Sequence, residues 1–268
     1  MAAANEDEPI PHVRVEQVEA VAVATLVNPS RRNAISLGMW REIEAFAVAA
    51  SADTTVRAVV FCGEGGVFSA GADIAGFEEQ RAGRGGARSY DDQLERACLA
   101  VEAIRQPTVA RLEGPVIGAG AALAASCDLR VAASDAFFMV PAARLGLGYD
   151  PRAVARLVRV FGEATARWML MTAGRMPVER AFAQGSVHEV VGPERLDDSV
   201  ARLVMRLAEN APLTLAAAKL AIRAVAGGAE ATLMEEAWRL TDMADESTDY
   251  IEGRAAFIEK RPPEFTGT

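Results

Sequence analysis

Histidine is nearly missing from this chain: His12 and His188 are the only two in 268 residues. Both fall in segments that alternate like strands, far in sequence from the glycine-rich loops. A structural or surface role is therefore expected for each, rather than acid–base work. Cysteine is scarce too. Cys62, Cys98 and Cys127 lie in apolar segments without ligand-like spacing. That pattern excludes a zinc set or a disulfide framework and fits core thiols in a reducing, cytoplasmic compartment. No apolar run is long enough to span a bilayer. Basic residues are outnumbered, 28 Lys and Arg against 37 Asp and Glu, and the net charge of −9 disfavours a nucleic-acid partner. Nicotinamide, flavin and metal signatures are absent, and the glycine runs do not open a dinucleotide-binding helix. No metal and no separate cofactor are expected. The acidic start MAAANEDEPIP has no basic flank followed by a long apolar core. Residues 1–11 are thus expected to be a disordered, frayed tail rather than a targeting peptide.

What the chain does have is 51% hydrophobic and 24% charged residues, ordinary for a soluble globular protein, and enough length for a sizeable core. It is organised around FSAGAD, Phe68 to Asp73, which follows the apolar run VRAVVFC and the turn GEGG. That order predicts a buried strand, a tight loop, then backbone almost without side chains. Ala70, Gly71 and Ala72 can do no acid–base chemistry. They can donate backbone N–H groups to an oxygen that gains negative charge.

His12 to Glu16 and Val18 to Leu26 alternate like two strands. Ser36 is placed to cap a helix running to about Ala50, with Met39, Ile43 and Phe46 on one face. Ala75 to Asp92 is glycine-rich, charged and poor in core residues, so a mobile surface segment or lid is expected there. Leu94 to Ile104 has helical period, and Thr108 to Leu112 is a predicted strand. Gly118 to Ser126 is almost entirely small and apolar, which suits a buried helix. Asp128 to Ala133 is a further predicted strand. Beyond Asp150-Pro151 short amphipathic helices follow, then a last strand at Ser186 to Val191, then helices only from Glu194. Alternating strands and helices give an α/β core, expected over residues 12–194, with a helical region over 195–268.

Four segments then carry a recognisable pattern: VRAVVFCGEGGVFSAGAD, PTVARLEGPVIGAGAALAASCDLRVAA, FFMVPAARLGLG and the tail AFIEKRPPEF. In order and in spacing they resemble the crotonase (enoyl-CoA hydratase/isomerase) family over nearly the whole chain. The resemblance implies a crotonase-like α/β spiral of β-β-α units with a C-terminal helical trimerisation region. It also implies a homotrimer or hexamer and an acyl-CoA substrate, with coenzyme A present only as part of that substrate. The thioester oxygen would sit between the backbone N–H groups of Ala72 and Ala119, the latter at the start of the small-residue helix. CoA contacts would come from Arg32, Asn33 and Ala34, from Asp73, Ile74 and Ala75, and from Phe257 and Lys260, the last two usually supplied by a neighbouring subunit. For Lys260 the alternative is a solvated surface charge.

The chain departs from this pattern at the acid–base residues. The two glutamates that hydratases use fall on Ala122 and Ala142, and alanine can neither activate water nor donate a proton. Asp150, in LGLGYDPR, is the leading substitute. It would either sit in the acyl pocket with a raised pKa or cap the helix that follows. Tyr149 is the second candidate; it or Tyr90, in SYDD, would hold a polar acyl group or a carboxylate, as in methylmalonyl-CoA decarboxylase-like members. Glu113 faces either the pocket or a surface turn. The expected activity is therefore isomerase-like or decarboxylase-like chemistry through Asp150 rather than standard hydration. The alternative is a non-catalytic acyl-CoA-binding protein of the same fold.

Overall fold

A computed structural model describes residues 10–73 and 83–268, with the backbone alone over 83–87. Strands β1 (His12–Val18) and β2 (Val21–Val27) pair antiparallel, from His12 opposite Val27 to Val18 opposite Val21. The connecting turn puts Glu19 at φ 52°. Ser36 then caps helix α1 (Leu37–Ala52), its hydroxyl accepting from Met39 N at 3.2 Å. Met39, Ile43 and Phe46 are buried on the inner face of α1, as their spacing predicts.

β3 (Ala58–Gly63) joins β2 in parallel, and the sheet continues through β4 (Thr108–Leu112), β6 (Leu129–Ala133) and β9 (Glu189–Val191) in the order β1-β2-β3-β4-β6-β9. Between β3 and β4 (Thr108–Leu112) runs helix α2 (Gly83–Ala103). Parallel neighbours need such a crossover. Alternate residues of β3 serve two cores. Val59 and Phe61 pack toward α1 and α2, while Ala58 and Val60 pack with Leu196, Val200 and Val204 of a later helix. Burial on both faces is why this strand reads as an unbroken apolar run.

Past β4 the chain leaves the sheet. Strand β5 (Pro115–Ile117) leads into α3 (Ala119–Ser126), every residue of which is buried. β6 (Leu129–Ala133) returns to the main sheet. β7 (Phe137–Met139) goes back beside β5 and starts a second, three-stranded sheet, order β5-β7-β8. Helices α4 (Ala142–Leu145), α5 (Pro151–Phe161) and α6 (Glu163–Thr172) precede β8 (Met176–Pro177) and α7 (Val178–Ala183). β9 (Glu189–Val191) closes the large sheet.

Four helices follow: α8 (Leu196–Ala208), α9 (Pro212–Ala226), α10 (Ala231–Asp245) and α11 (Thr248–Glu259). α8 carries the Leu196, Val200 and Val204 face onto the sheet. α9 is tied to the body by Lys219, whose ammonium meets Asp128 at 2.7 Å and the carbonyl of Gln106 at 3.0 Å. The chain end folds back: buried Asp249 accepts from Thr266 N and Gly267 N.

Two expectations change here. The segment expected to be a surface lid up to Asp92 is helical from Gly83 onward, because Tyr90 is 3% exposed and anchored in the core. Ile74 and Ala75 lie outside the described residues. The strand expected from Ser186 begins only at Glu189.

Candidate active site

The segment Ser69 to Asp73 is stitched between two others. Ser69 N donates to Pro115 O and Ile117 N to Ser69 O, each at 3.0 Å. On the other side Ala70 N reaches Arg32 O at 2.9 Å, Ile35 N reaches Gly71 O at 2.7 Å, and Asp73 N reaches Ile35 O at 3.1 Å. Ile35 thus pairs with the residues flanking Ala72. In a parallel bridge that geometry turns the N–H of Ala72 away from Ile35. Gly71 sits at φ 109°, and a Cβ there would come within 3.1 Å of Ile117 O, so glycine is required.

The second donor comes from α3. Gly118, at φ 50°, ends β5 and directs the chain into the helix, with its N–H bonded to Met139 O at 2.9 Å. Ala119 is the first helical residue and has no acceptor one turn back. A Cβ on Gly120 would lie 2.7 Å from Ser69 Cβ, so the first turn of α3 is pressed against the Ser69 segment. Neither Ala72 N nor Ala119 N donates to a protein acceptor among the described residues. Both residues line one pocket.

The acid–base positions are as bare as the sequence implied. Ala142 is in the pocket wall at 6% exposure, and Ala122, on α3, is 2% exposed and does not line the pocket. Asp150 also lines the pocket, but it is the N-cap of α5, accepting from Arg152 N at 2.8 Å. Arg152 Nε lies 3.1 Å from both carboxylate oxygens, and Nη2 is 2.6 Å from Oδ2. Hydrogen bonding to the Arg152 side chain, more than any burial, holds the Asp150 carboxyl below the usual carboxylate range. The raised pKa expected of a carboxylate in an apolar pocket is thus overturned: pocket wall and helix cap coincide, and the cap brings a cation with it.

Tyr149 lines the pocket, and its hydroxyl has no hydrogen-bond partner among the described residues. Burial pushes its phenol well above the usual value, so it stays a neutral donor. Tyr90 lines the same pocket. Its hydroxyl accepts from Trp40 Nε1 and donates to Ile35 O, both at 2.9 Å. Ile35 O is also the acceptor for Asp73 N, so Tyr90 braces the strand segment that carries Ala72.

Sequence reasoning missed Glu95 and Arg156. Glu95 lines the pocket from α2 and meets Arg156 of α5 through two bonds, of 3.0 and 3.1 Å. Arg156 also donates to Glu102 Oε1 at 2.6 Å, and Arg159 meets the same oxygen at 2.7 Å. The available signal was periodic: Asp91 and Glu95 stand one turn apart, as do Arg152 and Arg156.

The expected CoA residues divide. Asn33 is fully buried, and its side chain fixes the loop by accepting from Asn28 N and donating to Glu64 O and Val67 O. Ala34 is 7% exposed and Asp73 is paired with Arg31 at 2.6 Å. Arg32 is exposed beside the Ala70 segment. Phe257, 86% exposed, and Lys260 lie at the end of α11 and do not line the pocket. Glu113 pairs with Arg111 outside the pocket. His188 accepts from Arg130 N, and burial pushes its pKa down. Burial also raises Cys98, to about 11. Among the described residues no His, Cys, Asp and Glu group is placed to hold a metal, and no helix is long and apolar enough to cross a membrane.

Residues 16–268 match the model of the enoyl-CoA hydratase/isomerase family. The chain belongs to that family. A probable enoyl-CoA hydratase, echA6, of Mycobacterium tuberculosis is 36% identical over 259 residues, 95% of this chain and 99% of that protein. The methylmalonyl-CoA decarboxylase of Escherichia coli is 34% identical over 204 residues, 75% of this chain and 77% of that one. The crystal structure of an enoyl-CoA hydratase/carnitine racemase from Magnetospirillum magneticum superposes with a TM-score of 0.89 at 33% identity, covering 96% of each chain. The fold is therefore the α/β crotonase fold that the sequence implied.

Proposed function

We propose that the chain binds an acyl-CoA thioester with its carbonyl oxygen between the N–H groups of Ala72 and Ala119, and that it does not hydrate its ligand by a two-glutamate route. The observation that carries this reading is the pair of backbone donors without protein acceptors among the described residues at one pocket, beside an alanine at 142. Pre-oriented N–H groups stabilise charge that develops on an oxygen, and the α3 dipole adds to the effect. The CoA moiety would run past Arg32 and the segment 73–75. Phe257 and Lys260 would reach it from a neighbouring copy in a trimer or hexamer. The exposure of Ile251, Phe257 and Ile258 at 68%, 86% and 77% supports that assembly. The protein would work in the cytoplasm with no further cofactor.

Proton movement falls to the polar residues in the wall. Asp150, ionised at neutral pH, would take a proton from the acyl group and return it, with Tyr149 as a neutral donor, in an isomerase-like reaction. A decarboxylase-like reaction has weaker support, because Ala72 stands where the methylmalonyl-CoA decarboxylase-like pattern has histidine. Binding without turnover is the second reading. The Arg152 clamp favours it, since a carboxylate with both oxygens engaged is a weak base.

Incubation with a panel of saturated and unsaturated acyl-CoAs, followed by mass spectrometry and by deuterium uptake at Cα, separates these readings. Isomerisation or exchange that Asp150→Ala abolishes supports the shuttle. Tight binding with neither supports the second reading. Failure to bind any acyl-CoA overturns both.

A further inference from the structure

We infer that Glu95 is a specificity-determining residue of the pocket: its carboxylate saturates the buried Arg156 and so turns away acyl groups that end in a carboxylate. The inference rests on the acyl-CoA reading above and names the class of acyl chain the site accepts. Arg156 is 3% exposed and does not line the pocket, whereas Glu95 does. The cation therefore lies behind the wall and the anion stands in it. Glu95 holds Arg156 through both terminal nitrogens, and Glu102 holds it through Nε. With Arg159 on Glu102, the set has two cations and two anions and is neutral.

Asp150, held by Arg152, also faces the cavity. A terminal acyl carboxylate would meet the carboxylates of Glu95 and Asp150 in a predominantly apolar wall. An unpaired charge there is costly. A neutral chain meets no such penalty. Tyr149, with a hydroxyl free of protein partners among the described residues, can satisfy a polar but uncharged substituent. Removing the charge of Glu95 reverses the balance. The set would carry a net positive charge directly behind the wall, and an acyl carboxylate would restore neutrality.

The test compares hexanoyl-CoA, adipyl-CoA and the monomethyl ester of adipyl-CoA by calorimetry, on the full chain and on Glu95→Gln. The ester controls for length and polarity without charge. Expected for the unaltered protein is adipyl-CoA at least tenfold weaker than its methyl ester, with the ester and hexanoyl-CoA alike within a few-fold. In Glu95→Gln the adipyl penalty should fall at least tenfold. Should that variant fail to fold, the unaltered protein still decides. Equal affinity for adipyl-CoA and its ester overturns the inference while leaving the acyl-CoA reading intact. An adipyl penalty unchanged in a folded Glu95→Gln overturns the role of Glu95. Binding of none of the three overturns the inference and the reading beneath it together.

Discussion

Arg152 closes on Asp150 from three directions, through its backbone N–H, Nε and Nη2, and the same guanidinium reaches Asp92 at 2.8 Å. The carboxylate that caps α5 is therefore the same one that borders the pocket, and its charge is set by the cap.

The depressed pKa of Asp150 makes a pH prediction. A carboxyl with a lower pKa folded than unfolded stabilises the fold above the unfolded value, about 3.9, and that stability is lost as pH falls through the folded value. Asp150→Asn keeps a capping side chain but removes the charge. Its Tm should trail the unaltered protein near neutral pH, and the gap should close as pH drops below about 4. In NMR titration, Arg152→Met should move the Asp150 midpoint upward.

Tyr90→Phe should cost about 1–3 kcal/mol in urea unfolding, because Trp40 Nε1 loses its buried acceptor. It should also weaken acyl-CoA binding, since Ile35 O loses one of the donors that align the Ala72 segment. Stability loss with unchanged affinity would limit Tyr90 to a core role.

Glu102→Ala should be more damaging, about 3–5 kcal/mol. It removes the shared acceptor of Arg156 and Arg159 and leaves a buried cation with Glu95 alone. Thermal and urea unfolding both read this.

Gly120→Ala places a methyl group 2.7 Å from Ser69 Cβ, between α3 and the strand segment that presents Ala72. Overpacking of this kind costs about 1–3 kcal/mol. Because the two donors sit on the two elements being pushed apart, acyl-CoA affinity should fall as well.

The elements legible in the sequence were those with a period or a composition of their own. Thr108–Leu112 and Glu163–Thr172 fall where alternation and amphipathic spacing put them, and the small-residue run Gly118 to Ser126 is a buried helix starting one residue later. The three-residue strands β5 and β7 were not legible, because so short a strand carries no repeat and exists only through its partners. The first turns of α2 are rich in glycine, against helix propensity, and tertiary anchoring through Tyr90 prevails. At the site, the loss of carboxylates at 122 and 142 could be read directly. The state of Asp150 could not, because it depends on which way Arg152 folds back. The Glu95–Arg156 pair joins residues 61 apart in sequence.

The central claim is that Ala72 and Ala119 hold a thioester oxygen. The most direct measurement is the affinity for an acyl-CoA against its thioether analogue, S-alkyl-CoA of equal length, which lacks the carbonyl. Two hydrogen bonds at about 0.5–1.5 kcal/mol each predict that the thioester binds roughly tenfold tighter or more. Equal affinity for the two would contradict the claim.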